Sequence, residues 1–176
     1  MKIGIDISQL AYPQTGVANY LQQLIEHLLQ VDNDNEYVLF FSSLRRKITS
    51  SQLKINNPRA TIKNVKIPPS VLDLLWNRLH ILPIEWLIGK VDMFITSDWT
   101  EPPTYRAKKA TILYDLIVYT YPEETDTKIV ETQKRKLAWV KKESDVIFCI
   151  SESTKQDAMN ILGIPEKKLR VTYPGL

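Results

Sequence analysis

From end to end, the sequence alternates short, β-branched apolar runs with segments of helical period, and few folds accept that pattern. Strands joined by crossover helices pair in parallel, and a parallel sheet needs helices on both faces. The strand runs are Lys2–Ile7, Glu36–Ser42, Thr61–Ile67, Val91–Thr96, Ala110–Tyr114, Asp145–Ile150 and Lys168–Tyr173. From Gly16 to about Gln30, Val17, Leu21, Leu24, Ile25 and Leu28 form one helical stripe. A long helix is expected over Asp126–Glu143, with acids before it and Lys141 and Lys142 at its end, as the helix dipole favours. A shorter helix follows at Ser153–Leu162. Val71–Ile88 is helical but broken at Pro83, which moves Leu82 out of the α region. The basic, Ser-rich stretch from Leu44 to Arg59 is the least regular. The fold class expected is α/β: a Rossmann-like, doubly wound, mostly parallel sheet with helices on both faces, as a single domain over 1–176.

Composition narrows the function classes. Apolar residues make up 44% and charged residues 24%, which excludes intrinsic disorder. A net charge of +3 is too small a surplus to argue for nucleic acid. No apolar stretch approaches the roughly 20 residues that span a bilayer, and no signal-peptide core follows Met1-Lys2. Cys149 is the lone cysteine, so an internal disulfide and a multi-cysteine metal site are excluded. A cytoplasmic protein is expected, with room for peripheral contact at the inner face of a membrane. Two segments bear on that contact. Lys134-Arg135-Lys136 and Lys141-Lys142, with Trp139 between, are either a solvated helix face or a surface for anionic lipid or an acidic partner. The apolar segment from Trp76 to Ile88 is either core or a greasy partner or lipid surface.

In a doubly wound sheet, ligands bind beyond the carboxyl ends of the strands. The exits carry Asp6 and Ser8, Ser97 and Asp98, Tyr114 and Asp115, then Ser151 and Glu152. A dinucleotide fingerprint is missing, because the first exit runs from Asp6 to Gly16 with one glycine at its far end. A nicotinamide or flavin dehydrogenase, or an epimerase relative, is disfavoured on that ground, and a P-loop is excluded. Thr15-Gly16 opens a helix, either as a plain start or as a phosphate site. Asp115 can orient a ligand hydroxyl or form a turn. Ser151-Glu152-Ser153-Thr154-Lys155-Gln156 contains a capping box at Ser153 and Gln156, with Ser151 able to cap one register earlier. His27 and His80 lie away from the exits and read as structural, so neither a triad nor a metal cluster is supported.

Several of these segments resemble family-4 glycosyltransferases. Lys2-Ile3-Gly4-Ile5-Asp6 with Thr15-Gly16-Val17-Ala18-Asn19-Tyr20-Leu21 is similar to that family's first strand and glycine loop. Leu113-Tyr114-Asp115-Leu116 and Tyr121-Pro122-Glu123 resemble its His-Asp-Leu and Tyr-Pro-Glu segments. Ile150–Lys155, Leu162–Pro165 and Val171–Gly175 resemble the segment closing its first domain. Two positions depart from the pattern: Tyr114 replaces a histidine, and Asn19 stands where a basic residue is common. The resemblance implies the N-terminal, mainly acceptor-binding half of a GT-B enzyme. Such an enzyme transfers a hexose, mannose for example, from a nucleotide-sugar to a lipid-linked or polysaccharide acceptor, with retention. This half would be inactive without a C-terminal donor-binding domain, whose linker would begin at Gly175-Leu176. No metal or other cofactor is implied.

By the same resemblance, Gly16 with Thr15 approaches the donor diphosphate, Tyr114 and Asp115 lie beside the reacting sugar, and Ser151 and Glu152 line the cleft. Loop position adds Tyr12, Asp98 and Trp99 as acceptor-binding residues, an aromatic face to stack on a sugar and a carboxylate to accept its hydroxyls. The alternative is a non-catalytic Rossmann-like module that binds a sugar or a nucleotide.

Overall fold

The computed structural model describes residues 1–53 and 57–174. Lys54, Ile55 and Asn56, part of the irregular stretch, and Gly175 and Leu176, where the resemblance places a linker, lie outside the described residues. Among the described residues, seven strands form one sheet: β1 (Lys2–Asp6), β2 (Glu36–Ser42), β3 (Ala60–Val65), β4 (Met93–Thr96), β5 (Lys108–Leu113), β6 (Val146–Cys149) and β7 (Leu169–Val171). Their spatial order is 3-2-1-4-5-6-7 and every pairing is parallel. The chain order reverses between β1 and β4, which makes that junction the topological switch point of a doubly wound sheet. The sheet is the Rossmann-like one expected.

Its two faces are covered by different parts of the chain. Tyr37, Leu39 and Phe41 of β2 pack with Leu21, Ile25 and Leu29 of α1 (Gly16–Val31). The alternate residues Val38 and Phe40 pack on the opposite face against Trp76, Ile84 and Ile88. That two-sided burial explains why β2 is an unbroken apolar run. At the far end of the sheet, Leu137 and Val140 of α5 (Thr127–Glu143) and Ala158 of α6 (Glu152–Asn160) enclose Ile147, Cys149 and Leu169. Gly4 in β1 is required by this packing. A Cβ there would stand 2.6 Å from the Phe94 ring and 2.9 Å from Ile88 Cδ1.

The segment expected to be a broken helix is shorter in its helical pieces than the pattern suggested. It comprises α2 (Pro69–Leu72), a π-helical turn over Asp73–Arg78, and α3 (Glu85–Ile88). Leu82 does leave the right-handed α region ahead of Pro83, but into positive φ (68°), and His80 also has positive φ (52°). One short helix before α5, α4 (Ile117–Thr120), follows β5. In α6 the cap is Ser151, whose Oγ accepts the Thr154 N–H at 3.0 Å, and not Ser153.

Candidate functional site

Parallel pairing brings the strand exits to one edge of the sheet. Ile5 pairs with Ile95, Thr96 with Thr111 and Leu113 with Cys149, so Asp6, Ser97, Asp98, Tyr114 and Asp115 emerge side by side, with Ser151 beyond. Gly16 stands at the same edge, as the first residue of the helix after β1. Thr15 caps that helix, its Oγ1 accepting the Ala18 N–H at 3.2 Å. Gly16 is exposed, and a Cβ on it would touch nothing within 4 Å. Nothing in the chain itself requires glycine there.

Tyr114 is the most heavily tied of these residues. Its hydroxyl lies 3.0 Å from Ser97 Oγ, its carbonyl accepts from Thr154 Oγ1 at 3.0 Å, and its ring meets the Tyr20 ring edge-on at 5.5 Å. Burial pushes its phenol well above the ordinary value. Asp115 is exposed; its Oδ1 accepts the Ile117 N–H at 3.1 Å and so shapes the turn into α4. Asp98 is half-buried, with Oδ1 accepting from Gln133 Nε2 at 2.9 Å. Burial raises its carboxyl, against the pull of the Lys136 ammonium. Trp99 is half-buried, and the Asn77 side chain pins its loop by donating to the Trp99 carbonyl at 2.9 Å and accepting the Glu101 N–H at 3.0 Å. Tyr12 is exposed at the end of a 3-10 turn, and Glu152 is exposed in the first turn of α6.

Lys136 overturns the expectation of a solvated basic face at that position. It is 2% exposed, and its ammonium donates to the Ser97 carbonyl at 2.6 Å. Asp98, Glu101 and buried Asp6 supply its countercharges. Burial lowers the Lys136 value and raises that of Asp6, each against the attraction of the other. A second layer lies behind. Glu101, fully buried, accepts from Thr96 Oγ1 at 2.6 Å and pairs with Lys109 Nζ at 3.1 Å, and Lys109 reaches Glu143 at 2.9 Å. Four buried charges thus stand behind the exits; the sequence places Asp6 there and Lys136 in a surface run, and does not pick out Glu101 or Lys109. The missing signal was register, because Lys136 falls four residues before buried Val140 and next to buried Leu137.

Three cavities meet at Trp99. One of about 160 Å³ is lined by Asp98, Trp99, Tyr114, Asp115, Gln133 and Lys136, and Val17 of α1 closes one side. A groove of about 500 Å³ shares Trp99 and Ile129 with it and carries Arg78, Arg135, Lys128 and Thr132. A recess of about 30 Å³ is lined by Asp6, Ser8, Tyr12 and Trp99. Asp98, Trp99, Tyr114 and Asp115 therefore share one concavity, while Tyr12 reaches it across Trp99. Thr15, Gly16, Ser151 and Glu152 stand at the same edge but line none of the three. Among the described residues, no group of three or more His, Cys, Asp or Glu side chains is placed to hold a metal ion.

No family model matches this chain. No curated protein matches it either. Solved structures with a similar backbone include vestitone reductase from alfalfa (Medicago sativa L.), with a TM-score of 0.46 and 8% identity over 85% of this chain. The chain spans 56% of that reductase's length. The resemblance to family-4 glycosyltransferases is overturned by these findings: no family model and no curated protein of that family matches the chain. The segments that carried it, from Lys2-Ile3-Gly4-Ile5-Asp6 to Tyr114-Asp115, are features of strand exits and caps that a Rossmann-like sheet supplies on its own.

Proposed function

We propose that this chain is a binding module for a sugar or a nucleotide, held at the carboxyl edge of β4 and β5. The observation that carries this reading is the concavity around Trp99, in which an aromatic ring, two carboxylates and a carboxamide line the same cavity. Asp98 and Asp115 offer acceptors for hydroxyl groups, Gln133 adds its carbonyl oxygen while its amide nitrogen holds Asp98, and the Trp99 face suits a sugar ring or a base. The neighbouring groove carries Arg78 and Arg135, paired with Asp73 and Glu131 of the same groove, and Lys128, which has no carboxylate partner among the described residues and suits a phosphate attached to the same ligand. A cavity of about 160 Å³ lies below the usual ligand-pocket range, so a nucleotide would occupy both spaces, with Trp99 between.

The test is isothermal titration calorimetry with free hexoses, nucleoside diphosphates and nucleotide-sugars. At least one should bind, and Trp99→Ala should weaken it about tenfold or more. Asp115→Asn should weaken the same ligand with little change in thermal stability, since Asp115 is exposed and the amide oxygen can still accept the Ile117 N–H. Absence of binding across all three classes would refute the proposal.

A further inference from the structure

The segment between Leu79 and Trp86 presents apolar side chains to solvent on a backbone that is held there at a cost. Leu79, Ile81 and Trp86 are exposed, Trp86 at 73%, and Tyr105 beside them at 71%. His80 and Leu82, on either side of Ile81, both occupy positive φ, a region that non-glycine residues enter only when their surroundings fix them. The fixing bonds are present. Trp76 Nε1–H donates to the Leu82 carbonyl at 2.9 Å, Ile81 N–H to the Leu75 carbonyl at 2.8 Å, and the His80 ring stacks on Trp139 at 3.5 Å. Glu85 joins the two apolar stretches, its carboxylate accepting the N–H groups of Tyr105, Arg106 and Ala107 at 2.9 to 3.1 Å. A rigid turn that displays Ile81, next to an exposed Trp and an exposed Tyr, is a surface built to be covered.

The charges around it identify the cover. The acids of this region are engaged by the chain itself: Glu85 by backbone N–H groups, Glu143 by Lys109 and His80, and the exposed Asp92 and Asp145 by the Lys2 and Lys109 N–H groups. Lys90, Arg106 and Lys142 form no carboxylate pair among the described residues. Lys142 lies over the Trp139 ring at 4.6 Å and Arg106 over the Tyr105 ring at 5.5 Å, so both cations sit beside the apolar residues. Trp and Tyr prefer the boundary between hydrocarbon and headgroups, and lysine and arginine prefer anionic headgroups. Among the described residues, no helix is long and apolar enough to cross a bilayer. We infer that this face docks the chain on a membrane surface containing anionic phospholipid, with Ile81 and Trp86 entering the headgroup boundary and Lys90, Arg106 and Lys142 meeting phosphates.

Co-sedimentation with vesicles tests this on the full chain. Vesicles of phosphatidylcholine with about one-third phosphatidylglycerol should bind it at least tenfold better than phosphatidylcholine alone, with the difference abolished by high salt. The double variant Ile81→Ser, Trp86→Ala should lose about tenfold in binding to the anionic vesicles while keeping the wild-type circular dichroism and melting temperature. Arg106→Glu with Lys142→Glu should lose the preference for anionic lipid. Equal binding to both vesicles, binding to neither, or an unaffected Ile81/Trp86 variant would overturn the inference. Concentration-dependent dimers that ignore both vesicles would also overturn it, and would assign the face to a second copy of the chain.

Discussion

Replacing Lys136 by methionine separates a structural lysine from a solvated one. Lys136 is 2% exposed, its ammonium donates to the Ser97 carbonyl at 2.6 Å, and its charge acts on Asp6 and Asp98. Methionine keeps most of the stem volume and removes the charge. Among the described residues no carboxylate stands within ion-pair distance of the ammonium, so what is lost is its charge-assisted bond to the Ser97 carbonyl and the longer-range attraction of Asp6, Asp98 and Glu101, about 1.5–3 kcal/mol. At roughly 3 °C per kcal/mol for a chain of this size, Lys136→Met should melt about 5–9 °C below wild type at pH 7. The defect has a pH signature. Burial already raises Asp6 and Asp98 above 3.8, and loss of the cation raises them further, so acid neutralises what the variant leaves unpaired. Groups with raised native values favour folding below the unfolded value and lose that contribution as pH rises through the native one. The gap between variant and wild type should therefore narrow from pH 7 toward about pH 4. Adding Asp98→Asn to Lys136→Met should recover part of the loss at pH 7, since one orphaned charge is gone. Melting followed by circular dichroism at several pH values decides it. A Lys136→Met protein within about 1 kcal/mol of wild type at pH 7, or one whose defect is the same at every pH, would refute the buried-cluster account.

Two further outcomes follow from the packing. Gly4→Ala places a Cβ 2.6 Å from the Phe94 ring, so urea unfolding should show a loss of about 1–3 kcal/mol, and Phe94→Leu in the same chain should restore part of it. Cys149 is fully buried and its thiol is pushed up to about 11 by burial, so it should resist a thiol reagent at pH 8 and react only once the chain is unfolded in denaturant.

Most of the fold was legible in the sequence because strand period and strand burial coincide. Glu36–Ser42 is the strand observed, and the other six differ only by a few residues at their ends. The carboxyl-edge candidates followed from topology: whatever side chain ends a parallel strand must emerge at that edge. Asp98, Trp99, Tyr114 and Asp115 share one cavity for this reason, and none of them needed a motif to be found. The short pieces between Pro69 and Ile88 were less legible. Apolar residues occur all round that segment, and periodicity cannot tell which of them the sheet will bury. Trp76 went inside and Trp86 outside, ten residues apart.

The charged residues show where pattern reading stops. Lys134, Arg135 and Lys136 are consecutive in sequence, yet successive helix positions are rotated by about 100°. Lys134 faces solvent with its ammonium over the Tyr119 ring, while Lys136 points under the exits of β1 and β4. A run of like charges on a helix therefore cannot be assigned to one face as a block; each residue takes the environment of its own register. The same holds for Glu101 and Lys109. Glu101 follows β4 in a loop containing Pro102 and Pro103, and Lys109 is the second residue of β5, positions that ordinarily face water. They are buried because each is the other's partner, with Thr96 and Glu143 completing the network. A buried charge becomes predictable only when its counterion is known, and the counterions here come from a loop, a strand and a helix that meet only in the folded chain.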